Sequence, residues 1–483
     1  MINNFFQNNK GSMLVTVMVA SSIFIVIAVS LIELGLLRQK VLKKKVSQMQ
    51  SIHIAEAGVN YYRWHLAHDE VDFMDGTGSD PGGGGEPYGP YIHTYTSPGG
   101  DVSGQFSLEI TPPPTGSTIV TISSTGWSFD NPSITRTVEV KYGIKSMAHY
   151  AYLSNNDIWL GSSESIKGEI HSNGGIRMDG NNDSLVGSTR SDYICDTSMG
   201  CDFSNCAAPC SWASSECTCP GVWGDGPNFD LWDNPVPSID FNVITVDIAI
   251  IKAAASSPNG YFPTTGGGSD GYHISFLADG TFDIYEVTSL KSSLSQVNDD
   301  WDGWESVAEE IDTQSFISNY SVPLNGIIYA ADDLWIDGIV NDKITVVAAY
   351  LPDNVSKRKS IIINDNITCQ TRDDSCILGL VAQKNIKVPR HAPTDLTIDS
   401  ILLAQNGRVF RNQYATPLIK DSIEVYGGIV SNKAWTWSWV DGLGSTIDGY
   451  ATTTSIYNNY SSFSPPPYFP NTGEYEFISW EEK

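Results

Sequence analysis

From Gly11 to Ile32 the chain carries no charged residue, and those 22 positions are mostly Val, Ile, Leu, Met, Ala and Ser. A helix of about 20 such residues crosses a bilayer. The helical pattern continues past the apolar run: Leu37, Val41, Val46, Met49, Ile52 and Ala55 keep apolar positions at helical spacing, with no Pro before His68. The pattern predicts one helix over 12–68 that starts apolar and turns amphipathic. After it, 69–104 is rich in Gly and Pro (GTGSDPGGGG) and reads as a linker. Alternating Val, Ile and Thr runs separated by Pro-Gly turns then predict a small antiparallel β domain over 105–145.

From about Ala151 the pattern shortens. Runs such as Ile158-Trp159-Leu160, Ile166–Ile170 and Ile176–Met178 alternate with Gly, Asn and Asp. The same texture returns in Leu334–Val340, Ile344–Val347, Ile361–Asn364, Ile386–Val388, Leu396–Ile398 and Ile423–Val430. Strands of three to five residues ending at Asn or Gly suit the rungs of a parallel β-solenoid, with Ile and Val stacked inward. A β-sandwich is the alternative. The fold class expected is mainly β, with a long N-terminal α-helix, transmembrane and then exposed, a small β domain and a parallel β-solenoid-like body. The divisions are a leader 1–11, helix 12–68, linker 69–104, β domain 105–145, first solenoid segment 146–190 and a Cys-rich insertion 191–225. An α+β insertion 226–320, a main solenoid segment 321–440 and a C-terminal cap 441–483 follow. The α+β insertion holds a helix at Val246–Ala255, a Gly-rich turn at Gly266–Gly268 and a hairpin of His273–Leu277 with Phe282–Val287.

Charge sharpens the division. The net charge is −27, but residues 1–50 hold six basic groups (Lys10, Arg38, Lys40, Lys43, Lys44, Lys45) against Glu33, and the remainder is left at −32. A body so acidic repels phosphate backbones, which argues against nucleic acid as a partner. The cluster Arg38–Lys45 follows the apolar run, and the positive-inside rule taken alone would place the body in the cytoplasm.

The eight cysteines point the other way. Six fall within 25 residues (Cys195, Cys201, Cys206, Cys210, Cys217, Cys219), and Cys369 and Cys376 flank a short polar turn. No C-x-x-C occurs and no His lies between Cys195 and Cys219, so zinc and Fe–S spacings fit poorly. Disulfides that staple a segment poor in apolar residues fit better, and they place the body in an oxidising compartment. Cys369 pairs with Cys376 on this reading; the pairing among the other six is open.

No catalytic constellation stands out: HExxH, G-x-S-x-G, a Walker loop and a dinucleotide fingerprint are all absent. No enzyme activity, cofactor or metal is expected. His171 reads as a turn or core residue. Asp332, Asp333 and Asp337 near Trp335 are a weak candidate for carbohydrate cleavage, and Asp179, Asn181, Asn182 and Asp183 are a weak one for calcium. Trp435, Trp437 and Trp439 alternate by two. On a strand they share one side, either as an exposed strip that stacks on sugar rings or as the buried cap of a solenoid end under Pro465–Phe469.

A short polar leader ending in Lys10-Gly11, with the apolar helix starting at Ser12, resembles the type IV prepilin signal. Ile54-Ala55-Glu56-Ala57-Gly58 resembles the AEA element of the PilX N-terminal family, and His171-Ser172-Asn173-Gly174 resembles the HSNG element of large bacterial surface proteins with such N-termini. The resemblance implies cleavage by prepilin peptidase between Gly11 and Ser12, and residence in the inner membrane and then in a pilus with other pilins and the assembly machinery. The body would be displayed at the cell surface, for adhesion to a glycan or partner cell. Position five of the mature chain would be Thr16 where major pilins carry Glu, which suits a minor, tip or initiating subunit. Two alternatives remain: a membrane-anchored carbohydrate-binding or carbohydrate-cleaving β-solenoid, and a pseudopilin of a secretion or DNA-uptake machine.

Overall fold

The computed structural model describes residues 10–81, 86–114, 117–263, 270–292, 296–298, 303–440 and 445–483. The leader up to residue 9, the Gly run at 82–85 and the turn at Gly266–Gly268 lie outside the described residues. The fold is mainly β after one long helix, α1 (Lys10–His68). The chain divides into two compact units: one comprises the residues up to Pro112, Val120–Tyr142 and Phe477–Lys483, and the other comprises Pro113–Ile119 and Gly143–Glu476.

In the first unit the later part of α1 lies on a five-stranded sheet. Its order is β1 (Tyr88–Thr96), β2 (Val102–Thr111), β3 (Ile119–Ser128), β4 (Thr135–Ser146) and the C-terminal strand Asn471–Glu482. Ser47, Ser51, Ile54, Ala55, Val59, Tyr62 and Leu66 are buried, a stripe at three- and four-residue spacing. Helix and sheet meet through missing side chains. A Cβ on Gly126 would sit 2.4 Å from both Ala55 N and Ser51 O, and one on Gly58 would sit 2.3 Å from Ser124 Oγ. The Ser51 hydroxyl closes the contact by donating to Ile134 O at 2.7 Å.

Two features differ from the sequence reading. The stretch read as linker 69–104 contains all of β1, because YGPYIHTYT places Gly and Pro inside a strand that has β2 on one side only, where Pro is tolerated. The C-terminal residues 471–482 form a strand of this sheet rather than a solenoid cap. Lys483 N donates to Thr137 O at 3.0 Å, and Arg136 pairs with Glu482 at 3.3 Å.

The second unit is a parallel β-solenoid. One ladder of inward side chains runs Ile328, Val346, Leu380, Leu402, Ile429, Tyr152, Ile170, Val186 and Trp232, each hydrogen-bonded strand parallel to the next. A second runs Ile367, Ile398, Val425, Ser455, Ile166 and Asn182. The two solenoid segments read from sequence therefore form one column with a seam in its middle. The chain enters at Tyr152, winds out to Trp232, crosses to the far end and winds back until Ile429 meets Tyr152 and Thr453 meets Glu164.

Residues 226–320 serve that crossing. Helix α2 (Val243–Ala255) buries Ile244, Ile248, Ile251 and Ala255 with Leu153, Tyr329, Val347, Val381, Leu403 and Val430, which project outward from the solenoid strands. The hairpin of Gly271–Leu277 with Thr281–Leu290 is less an insertion than the start of the column, because its first strand is parallel to Leu334–Val340 and stacks Ile274 on Ile336. Pro465–Phe469 does not lie over the tryptophans. Phe469 is buried in the α2 cluster, and Lys343 Nζ holds Ser464 Oγ at 2.7 Å.

At the seam one carboxyl is poorly solvated. Glu164 Oε2 is enclosed without a hydrogen-bond partner among the described residues, and desolvation raises its pKa from 4.5 to about 8. Between those values the unfolded chain has released a proton that the folded chain keeps, so this group's contribution to stability falls as pH rises across the window. The melting temperature is expected to drop from pH 5 to pH 8, and Glu164→Gln, which cannot ionise, is expected to shrink that drop. An unchanged drop in the variant would show that Glu164 is already charged in the fold.

Candidate functional site

The most unusual surface is the first part of α1. The segment from Met13 is long and apolar enough to cross a membrane, with mean hydropathy 2.7 over its most apolar window and none of that window buried. Leu14, Met18, Phe24, Ile25, Val26, Leu31 and Ile32 are all exposed. A soluble surface does not leave so continuous an apolar face uncovered. The helix is unbroken from Lys10 through this bare stretch, the basic cluster Arg38–Lys45 and the buried stripe. Gly11 and Ser12 lie in its first turn as backbone; the leader before Lys10 is outside the described residues.

The tryptophans do not form a binding strip. Trp435, Trp437 and Trp439 are all buried, with exposures of 9%, 1% and 5%. Trp435 packs on Tyr152 at 5.3 Å between ring centres and on Trp437 at 5.8 Å, inside the bore at the seam. Trp439 Nε1 donates to Arg411 O at 3.0 Å. Alternation by two keeps side chains on one side only in a continuous strand, and strand geometry begins only at Ser438, so the first two indoles turn inward. They fill the middle of the column rather than cap its end.

The cysteines are all in disulfide geometry: Cys195 with Cys201, Cys206 with Cys217, Cys210 with Cys219, and Cys369 with Cys376. The first three pairs brace a small sheet of Asp192–Cys195, Glu216–Pro220 and Ser211–Ala213, whose core consists largely of the cystines with Tyr193 and Met199.

The candidate carboxylates do not converge. Lys359 holds Asp332 at 2.5 Å. Asp333 accepts from Ser360 N at 2.6 Å, and burial pushes its pKa up. Asp337 accepts from His273 at 2.8 Å and Asn364 at 2.8 Å; burial works to raise its pKa, but the His273 contact outweighs it and holds the carboxyl below its usual range. Asp179 is occupied by Arg177 at 2.9 Å and the Trp159 indole at 2.8 Å, and Asp183 caps Gly168 N at 2.8 Å. His171 is buried beside Asn173, and burial lowers its pKa.

A second cluster had no counterpart in the sequence reading. At the C-terminal end of α1, His65 Nδ1 lies 3.2 Å from Asp72 Oδ2, while His65 Nε2 lies 3.1 Å from the Tyr61 hydroxyl and 3.8 Å from Asp75 Oδ1. From β1, His93 Nε2 lies 2.8 Å from Asp75 Oδ2. Asp75 is nearly buried and adopts φ +54°. The only signal in the sequence was the run DEVDFMDG between two histidines 28 positions apart, inside a stretch whose glycines dominate its reading.

No family model matches the chain, and no curated protein matches it. Among solved structures it is similar to the competence-associated pilin ComZ from Thermus thermophilus, at 11% identity and a TM-score of 0.28, the match covering 91% of this chain and 98% of that one. A TM-score that low does not establish a shared fold.

Proposed function

We propose that the chain is a pilin-like, membrane-inserted surface protein whose first helix serves assembly and whose solenoid is displayed outside the cell. The observation that carries this reading is the division of α1. Its first part is bare and apolar, while its later part is fixed to a sheet by a buried stripe. Such a helix anchors in lipid before assembly and packs against neighbouring helices afterwards, without refolding the body. The disulfide pairs support an oxidising location for the body, against the orientation that Arg38–Lys45 alone would favour. Thr16 in place of an acidic residue suits a subunit used in few copies, at a tip or in an initiating complex. With the tryptophans buried, no observation singles out a glycan as the body's ligand.

The test is Gly11→Ala in producing cells. The variant is expected to keep its leader, remain in the inner membrane and be absent from the surface. Wild-type processing together with wild-type surface display would sink the proposal.

A further inference from the structure

We infer that the basic collar of α1, formed by Arg38, Lys40, Lys43, Lys44 and Lys45, binds the headgroups of anionic phospholipids where the helix leaves the bilayer. This rests on the reading of α1 as membrane-inserted and names the lipid class that its collar takes. All five side chains are exposed. Among the described residues none of the five makes an ion pair, and the sequence holds a single acidic residue, Glu33, before residue 50. Five cations without a counter-charge beside an apolar span attract an anionic surface.

The height of the collar fits the headgroup layer. Residues 13–32 of α1 are uncharged and span about 30 Å, the thickness of a bilayer's hydrocarbon core. Arg38 and Lys40 then lie roughly 9–12 Å beyond Ile32, and the three lysines from Lys43 roughly 16–20 Å beyond it. The headgroup layer takes up about 5–8 Å of that distance. Helical side chains lean toward the N-terminus, which on this helix is toward the lipid, and long basic chains carry their charge that way. Arg38 and Lys40 so reach the phosphates, and the other three stay within about a Debye length of them, roughly 8–10 Å. The azimuth favours lipid over a protein partner. At about 100° per residue, Lys40, Lys43 and Lys44 fall on the side of the buried stripe that begins at Ser47, and Arg38 and Lys45 fall on the opposite side. One protein partner meets one side of a helix, whereas a headgroup layer surrounds it.

The experiment reconstitutes the full chain in vesicles of phosphatidylcholine with a minor share of phosphatidylglycerol. Electron spin resonance of spin-labelled forms of both lipids measures their relative affinity for the helix. Phosphatidylglycerol is expected to be preferred about fivefold or more. The rest of the chain, at −32, is repelled by the same lipid, so the preference reports the collar. It is expected to fall close to parity in about 1 M salt, which shortens the Debye length to about 3 Å. It is expected to fall likewise when Arg38→Gln, Lys40→Gln, Lys43→Gln, Lys44→Gln and Lys45→Gln are combined, with circular dichroism checking the fold. The salt arm needs no variant and decides by itself if the combined variant does not fold. Parity in the wild type at low salt overturns the inference and leaves the membrane reading intact. So does parity accompanied by self-association that the five substitutions abolish, which would assign the collar to the acidic body of a second copy. A chain that enters neither this vesicle nor one of phosphatidylcholine alone overturns the membrane reading and the inference together.

Discussion

Asp448→Ala is expected to destabilise the solenoid unit by about 3–5 kcal/mol, as removal of one partner from a buried ion pair generally does. Arg411 and Asp448 are both fully buried, 2.8 Å apart. The carboxylate also accepts from three backbone amides: Tyr414 N at 2.6 Å, Leu418 N at 3.0 Å and Gly449 N at 2.8 Å. Truncation leaves a buried guanidinium with Leu418 O at 3.3 Å and the Tyr414 ring beside it, and with the Glu309 carboxylate and the Lys420 ammonium within electrostatic reach. It also strands the three amide donors. Replacing both partners, Arg411→Met with Asp448→Leu, removes the orphaned charge but not the orphaned amides, and so is expected to recover part of the loss only. Urea denaturation of the three proteins measures this. A loss below about 1 kcal/mol in the single variant would mean that water reaches the pair.

Trp437→Ala is expected to cost a similar amount, about 3–5 kcal/mol, the range for deleting a large buried ring. Trp437 is 1% exposed and touches Trp435, which packs on Tyr152 across the seam between the two solenoid segments. Its ring fills the bore where Ile429 hands the ladder to Tyr152. The indole N–H has no acceptor among the described residues, so Trp437→Phe gives up area while relieving a buried donor, and it is expected to lose markedly less than the alanine variant. Equal losses in the two variants would contradict this, because they would show that the indole N–H is bonded in the fold rather than orphaned.

The extent to which the chain was readable follows from the range over which each signal acts. The helix was legible because 22 uncharged residues followed by helical spacing make a local pattern. The rungs were legible because Asn, Asp and Gly end short Ile and Val runs wherever they fall. The cysteine spacing excluded metal motifs and left the pairing among six open, since fifteen pairings satisfy the same spacing. What could not be read was which rung lies on which. Ile429 and Tyr152 are neighbours in space, yet hundreds of residues separate them, and nothing local records their register. The same holds for the C-terminal strand, which returns to the sheet beneath α1. The tryptophans show a subtler failure, since period two implies one face only where the backbone is a strand, and it is not at Trp435. The cluster of His65, Asp72, Asp75 and His93 escaped notice because its members come from a helix end, a loop and a strand, each polar for ordinary reasons.

The claim on which the rest depends is that the bare half of α1 is an assembly helix. It is tested most directly by shearing surface filaments from producing cells and mapping the N-terminal peptide of this chain in them. The account predicts that the chain is present in the filament fraction in low copy and begins at Ser12. Its absence from filaments, or its presence there with an N-terminus created by cleavage beyond the apolar segment, would contradict it.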